Sequence, residues 1–571
     1  MAIIRRIEIK NFRSIQYLDW APMPGINCLI GPGDSGKSTV LDAIDLCVGA
    51  RRNVVFEDTD FFSLNVQNPI EISVTLGCLP ETLLNIDLYG NFLRGFVPET
   101  KEIEDEPRAG IETVLTLRLK VESDLEPSWL LYSERAEQIS LEKTIAWAER
   151  TNLSPVRIGN YSNSNLSWTR GSVLNKLTTD RLNLGSALSE AARSARTNFG
   201  EHAAAQLSNT LQVVAATANE LGIPIGEVVK AMLDSHSVSI SDGAVSLHSE
   251  NGIPLRLLGT GSSRLLVAGL QRRTTTDASI ALIDEVEFGL EPHRIARLLD
   301  SLGAKEAIPT LQVFMTSHSP VAIRELSGDQ LFVARNKECL CICNMGSSDE
   351  VQSTLRHVPE AFLAKSIIVC EGASEVGFLR GLDQYWTSQG SNSFFALAGT
   401  YVNAGGGSPD NCFKRAIALK RLGYRVLILL DGDKPFNAEL VMEFNGDFIN
   451  WESPRALEDQ LFLSLSDTAT DALLAKAVIQ LGRELVDDHI KSVSQSQKTL
   501  NDIEMESLVD SIPIDTKIIL GKASRTKNNG WYKTVTTYQE VAKEIVGPNL
   551  DSADLEFQSI INRLKSWMYA S

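Results

Sequence analysis

The sequence predicts an α/β protein: a head of β-α-β units split by a helical insertion, followed by a second α/β domain with a parallel central sheet. Three observations predict it. The text GPGDSGKS at 31–38 lies between a short apolar strand and a helix. A second apolar strand, 280–283, ends in Asp284-Glu285. Two further apolar strands, 366–370 and 425–430, end in Glu371 and in Asp431-Gly432-Asp433. Continuous apolar strands that alternate with helices are the pattern of parallel sheets covered on both faces.

The elements follow in order. Residues 2–10 alternate as a strand through Ile4, Ile7 and Ile9. Strand 26–30 runs into the glycine turn, and a helix spans 37 to about 48. Strand-like text returns at 70–79 and 112–122, with an acidic, exposed loop at 102–106 between them. The Asn-, Ser- and Gly-rich stretch 152–172 reads as a boundary. Residues 174–234 read as two or three helices, an insertion and a candidate dimerisation element; short strands follow at 236–248. A strand at 279–283, a helix at 292–302 and a strand at 311–315 restore the β-α-β rhythm, and the tail to Ser571 is mostly helical. The implied divisions are 1–150 and 251–350 for the two parts of the head, 151–250 for the insertion, and 351–571 for the second domain with a helical extension.

Bulk properties bound the function. At 571 residues the chain holds three or four units, on a prior of about one per 150 residues. A net charge of -18 argues against coating nucleic acid by bulk charge, although a local basic patch can still dock phosphates. Eight cysteines in so long a chain make no disulfide framework. Only Cys339, Cys341 and Cys343 cluster, and their spacing reads as small buried hydrophobes on one strand face rather than a zinc site. The N-terminus MAIIRRIEIKNF has no signal-peptide core, and no apolar run reaches about 18 residues. The expectation is a cytoplasmic protein with no membrane span.

GPGDSGKS fits G-x-x-x-x-G-K-[ST] in the strand-turn-helix context that the motif requires. Gly31, Gly33 and Gly36 let backbone N–H groups curl around phosphates. Lys37 can reach the β- and γ-phosphates of ATP, Ser38 can ligate Mg²⁺, and Thr39 opens the helix beside them. Asp284 is placed to hold the ion through water, and Glu285 to polarise the attacking water. His318, at the end of the next strand, is a γ-phosphate sensor candidate.

These residues, with Ile9-Lys10-Asn11-Phe12-Arg13-Ser14, resemble the SMC- and RecF-like branch of ABC ATPases. The segment Leu258 to Arg264 is similar to a degenerate ABC signature. In that family one protomer's signature completes the ATP site of another, which implies a homodimer or higher homo-oligomer. Gly33 stands where the family often carries Asn, and no long coiled coil separates the halves. The resemblance therefore secures nucleotide binding more firmly than turnover.

Glu371, Glu375, Asp431 and Asp433 would share one carboxyl-terminal edge of a parallel sheet. Carboxylates so gathered repel unless a hard cation, Mg²⁺ or Mn²⁺, lies among them, and such ions serve phosphodiester cleavage. The two halves resemble a Toprim domain, with a Glu after one strand and Asp-x-Asp after a later one. ATPase then Toprim resembles the OLD family of ATP-dependent nucleases, including the nuclease subunit of Gabija-type anti-phage systems. The resemblance implies a DNA endonuclease or nickase, with a possible accessory defence protein. It also implies a further acid, matched by Glu458 with Asp459 as alternative, and a lysine, matched by Lys533. Lys522, Arg525, Lys527 and Lys533 would form a phosphate-docking strip, with Trp531 and Tyr532 packing or stacking. Arg51 and Arg52 are weaker phosphate candidates. The rival readings are a regulatory or DNA-repair ATPase whose second domain binds metal or a partner without cutting, and a topoisomerase-like enzyme using Tyr532 or Tyr538.

Overall fold

The computed structural model describes residues 2–51, 53–159, 166, 172–174, 190–191, 193–194, 207–220, 247–273, 280–336, 339–509, 511–526 and 529–570. They fall into two compact units, Met1–Cys28 with Ser38–Ser317, and Leu29–Lys37 with His318–Ser571. Most of the expected insertion at 174–234 and of the strands at 236–248 lies outside the described residues, as do Arg52 and Lys527. One helix of the insertion, Ser208–Glu220, is described.

The first unit carries an antiparallel sheet in the order Ile15–Trp20, Ile3–Phe12, Ile70–Gly77, Glu112–Val121, Leu93–Val97, Glu102–Glu104, with Pro127–Tyr132 also on Glu112–Val121. Alternation buries Ile7 and Ile9 and turns their neighbours outward. Lys10 meets Glu71 directly across the ladder at 3.0 Å, and Arg6 meets Asp19 at 2.6 Å. Residues 102–106 are not the free loop expected. Glu102–Glu104 is a strand on Leu93–Val97, and Asp105 accepts from the N–H groups of Glu134 and Arg135. Glu104 is met by Arg108, Asp105 by Arg94 and Arg135, and Glu106 by Arg135, so acidity did not prevent pairing.

A parallel ladder joins Val156–Ile158, Ile280–Ile283 and Gln312–Thr316. The expected boundary at 152–172 thus begins with a strand, because Val156 and Ile158 are buried against Ile280–Ile283. Gln312, buried, spends its amide on Ile4 and Met23: its oxygen accepts from Ile4 N–H at 2.8 Å and its nitrogen donates to both carbonyls at 3.0 Å.

The second unit contains a hairpin, Leu331–Asn336 with Leu340–Asn344, and a four-stranded parallel sheet. The sheet order is Gly399–Asn403, Ser366–Cys370, Arg425–Leu430, Asp447–Asn450. The longer of its two segments starts at His318. Within it, helix Asp349–His357 lies on helix Asp410–Arg421, with Arg415 donating to Ser353 Oγ at 3.0 Å. Helix Ala373–Ser388 covers the sheet. A Cβ at its Gly377 would sit 2.5 Å from Val535 O, and one at Gly381 would strike Gln539 O. That stripe of small residues admits helix Val535–Val541, which brings Tyr538 into the core. Trp451, Trp531, Tyr532 and Tyr538 are all buried there.

Candidate nucleotide and carboxylate sites

The glycine turn of the second unit is shaped by its backbone. Gly31 has φ +132 and Gly36 φ +86, values that disfavour side chains. A Cβ at Gly31 would also lie 2.5 Å from Ala334 O, whereas Gly33 has open space around it. Lys37 is buried, and its ammonium donates to Gly31 O at 3.2 Å, Pro32 O at 2.6 Å and Ser35 Oγ at 3.1 Å. A buried cation donating to neutral oxygens can trade them for an anion. His318 is exposed.

In the first unit, Asp284 follows the fully buried strand Ile280–Ile283. Its Oδ1 accepts from Ser38 Oγ at 2.9 Å and from Thr316 Oγ1 at 2.6 Å. Thr316 Oγ1 in turn accepts from Glu285 N at 2.8 Å. Glu285 is exposed and has φ +47, a costly conformation for a residue with a side chain. Thr39 Oγ1 lies 3.3 Å from Ser14 Oγ.

Arg264, at the end of the signature-like segment, was not singled out by sequence as a site residue. It is fully buried, and it donates to Asp284 O at 2.8 Å, Glu285 O at 3.0 Å and Phe288 O at 2.7 Å. Beside it, a Cβ at Gly261 would lie 2.5 Å from Gly289 O. The start of helix Thr260–Arg273 is therefore fastened to the turn that carries Asp284 and Glu285.

The second site forms at the carboxyl edge of the parallel sheet. Ser366–Cys370 pairs in register with Arg425–Leu430, so Glu371 and Asp431 leave adjacent strands at one edge. Asp431 N donates to Glu371 Oε2 at 3.3 Å. Burial, then Glu375, Glu458, Glu371 and Asp433 in that order, push the Asp431 carboxyl up to about 9. Burial chiefly, with the charge of Glu458, pushes Glu375 up to about 7. Glu458 is also raised by burial, against an opposing pull from Lys533. Of these five acids Glu371, Glu375 and Glu458 are buried, Asp431 is half-buried and Asp433 exposed, and such a donor set suits a hard divalent cation.

As the side chains stand, however, no group of three or more His, Cys, Asp or Glu among the described residues is arranged to hold a metal ion. The carboxylates are turned to other partners. Glu371 Oε1 takes Lys434 Nζ at 2.8 Å, Asp431 Oδ1 takes Leu457 N at 3.0 Å, and Glu375 Oε2 takes Gly372 N at 2.7 Å. The chemistry of the set fits a cation, and its rotamers do not yet enclose one.

One cation here, Lys434, escaped the sequence reading, and a second, Arg525, was read only as part of the docking strip. Lys434 bonds Glu371 and also Gly407 O at 2.8 Å. Arg525 approaches Asp433 at 3.5 Å and Asp459 at 3.2 Å. Lys434 directly follows Asp-Gly-Asp, which was the available signal. Lys533 is exposed, with Nζ 3.4 Å from Thr526 O. The aromatics of the expected docking strip pack rather than stack: Trp531 and Tyr532 are buried, the first donating to His489 Nδ1 at 3.2 Å, the second to Leu473 O at 2.5 Å. Their apolar area goes to the core, and among the described residues of the strip Lys522 and Lys533 are exposed. Tyr538 is also buried; its hydroxyl faces Glu458 without a partner at hydrogen-bond length. Neither tyrosine is accessible as a nucleophile. Arg51 is paired with Asp45.

The family model described as "AAA domain, putative AbiEii toxin, Type IV TA system" matches residues 26–324. An OLD nuclease of Thermus scotoductus is 33% identical over 76 residues, 13% of this chain and 14% of that protein. The DNA replication and repair protein RecF of Erwinia tasmaniensis is 51% identical over 41 residues, 7% of this chain and 11% of that protein. The resemblance thus spans only a small part of either relative's length. Among solved structures, an Smc head domain with an extended coiled coil from Pyrococcus furiosus, bound to the C-terminal domain of ScpA, is 13% identical and has a TM-score of 0.32. That likeness covers 60% of this chain and 97% of the other. The recombination mediator RecF with ATP is 11% identical with a TM-score of 0.31, over 60% and 99%.

Proposed function

The chain belongs to that AAA-domain family, and on this premise we propose that it is an ATP-binding, divalent-metal-dependent DNA endonuclease or nickase of the OLD type. In this reading the second unit contains a Toprim domain, the protein is a homodimer or higher homo-oligomer, and it serves anti-phage defence. The observation that carries the reading is the convergence of five acids around Asp431 at one sheet edge, with its carboxyl pushed up to about 9. Carboxylates kept buried at that electrostatic cost are found where a cation is to be bound.

In the head, Gly31, Gly36 and Lys37 hold the phosphates of ATP. Ser38 and Asp284 hold its Mg²⁺, Glu285 orients water, and His318 senses the γ-phosphate. In the second unit, Glu371, Glu375, Asp431, Asp433 and Glu458 hold Mg²⁺ or Mn²⁺. A bound divalent ion supplies charge neutralisation and an acidified water there. Asp431 keeps its proton near neutral pH in the metal-free chain and gives it up on becoming a ligand. Lys434 neutralises Glu371 in the resting state, and Lys533 and Arg525 are the cations available to a scissile phosphate. Nucleotide occupancy at the head governs cutting.

The test is cleavage of supercoiled plasmid with Mg²⁺ or Mn²⁺. The wild type nicks or linearises it, a chelator stops the reaction, and Asp431→Ala abolishes it. A wild type that cuts nothing, or Asp431→Ala cutting at the wild-type rate, overturns the reading. The rival is a regulatory or repair ATPase that does not cut. It draws support from the carboxylate rotamers, which are satisfied by Lys434 and backbone N–H groups, and from the short RecF match. Divalent-ion binding without cleavage would favour it.

A further inference from the structure

The cysteines sort by environment. Cys28, Cys47, Cys370 and Cys412 are buried, and burial pushes the Cys47 and Cys412 thiols up to about 12. Cys78 is exposed, yet its thiol is raised by partial burial and then by Glu112. Cys341 and Cys343 are different. They stand two residues apart on strand Leu340–Asn344, with their sulfurs 3.3 Å from each other. Cys341 is exposed and Cys343 half-buried. The expectation that this cluster is buried filler is therefore corrected: the strand's alternation points both thiols to a face that solvent reaches.

The face is also cationic. The strand pairs with Leu331–Asn336, and Arg335 lies directly across from Cys341. Arg335 is itself fixed, donating to Ala364 O at 3.0 Å with its guanidinium 3.6 Å from the Tyr424 ring centre. Among the described residues Leu340–Asn344 ends the order of its sheet, so no described strand on its far side resists a local pucker.

We infer that Cys341 and Cys343 form a redox-active dithiol, a modification site for two-electron oxidants of the hydroperoxide class. This rests on neither the ATPase nor the nuclease reading. The Cys341 thiolate attacks the outer peroxide oxygen. The S–O bond forms, the O–O bond breaks, and alkoxide or hydroxide leaves and is protonated. Cys341 is then a sulfenic acid. The Cys343 sulfur attacks Cys341 Sγ, the S–S bond forms, the S–O bond breaks, and the departing hydroxide takes the Cys343 proton as water. The dithiol has lost two hydrogens, and the hydroperoxide is reduced to an alcohol, or water, plus a second water.

Assignment of the two roles follows exposure. Burial, then the neighbouring Cys341, push the Cys343 thiol up to about 11. It therefore stays protonated while the exposed partner meets the oxidant. Two residues of extended strand span about 6.6 Å, near the upper end of the Cα separations of about 4.4–6.8 Å that disulfides accept. The bridge thus forms with a small pucker and reopens under a monothiol.

The test is thiol counting and peptide mass on the full chain treated with substoichiometric hydrogen peroxide. Two of the eight thiols are lost together, the peptide holding 339–344 loses two hydrogens, and dithiothreitol restores both. Oxidation at this pair outruns that at Cys78 by at least about tenfold. In Cys343→Ser the bridge is absent and dimedone traps a sulfenic acid at Cys341. Cys339→Ser behaves as the wild type. Oxidation of Cys78 at an equal rate, sulfinic acid at Cys341 beside a free Cys343, or a bridge lost in Cys339→Ser would each overturn the inference.

Discussion

Asp431 concentrates the electrostatics of the second unit in one carboxyl, and this sets its pH dependence. Unfolded, the group titrates near 3.8; folded, near 9. Between those values the native state binds more protons than the unfolded state, so stability is present at low pH and lost as pH rises toward 9. Glu375, lifted from 4.5 to about 7, acts in the same direction. Metal-free protein is expected to melt progressively lower from about pH 6 to about pH 9, and Asp431→Asn to flatten that slope; a wild-type melting temperature independent of pH would count against the cluster. Arg264 makes the opposite kind of contribution, a buried cation whose two terminal nitrogens donate to three carbonyls. Removing it in Arg264→Met strands the carbonyls of Asp284, Glu285 and Phe288. The cost expected in a denaturant titration is about 3 kcal/mol, and a loss within about 0.5 kcal/mol, the range of ordinary surface changes, would show the clamp to be dispensable. Glu371, Asp431 and Asp433 could be named from sequence because each ends an apolar strand. Lys434, Arg525 and Arg264 could not be assigned their partners, because those contacts are made across the fold.

At the scale of elements, the Asp-Gly-Asp turn depends on its glycine. A Cβ at Gly432 would strike Trp451 O and lie 2.9 Å from Glu452 O, and Gly432 N donates to Arg455 O at 2.8 Å. Gly432→Ala is therefore expected to displace both aspartates and lower divalent-ion affinity at least about tenfold while leaving every carboxylate in place; unchanged affinity would mean that the turn tolerates the shift. Legibility followed burial. Ile26–Ile30, Ile280–Ile283, Ser366–Cys370 and Arg425–Leu430 were read from sequence because each is mainly apolar and buried at all or nearly all positions. Asp447–Asn450 and Glu102–Glu104 were not, because short edge strands carry polar residues. Trp531 and Tyr532 were left open between packing and stacking by their basic neighbours. Their own apolar area decided their place, and a charge cluster in sequence says little about the rings inside it.

The whole molecule combines an AAA-family head with a second unit whose acids lie far along the chain. Among the described residues no helix is long and apolar enough to cross a membrane. If nucleotide is a switch rather than the engine of cutting, the two sites separate by mutation. Lys37→Ala is expected to lose nucleotide binding while retaining basal cleavage, and Asp431→Ala to lose cleavage while retaining nucleotide binding. Cleavage preserved in Asp431→Ala with ATP hydrolysis lost would reverse the assignment. The central claim is that the five carboxylates around Asp431 are one divalent-cation site, and calorimetric titration of the nucleotide-free full chain with Mn²⁺ tests it most directly. The account predicts saturable binding that Asp431→Asn abolishes and Lys37→Ala leaves unchanged. Equal Mn²⁺ binding by the wild type and Asp431→Asn, or none by either, would contradict it.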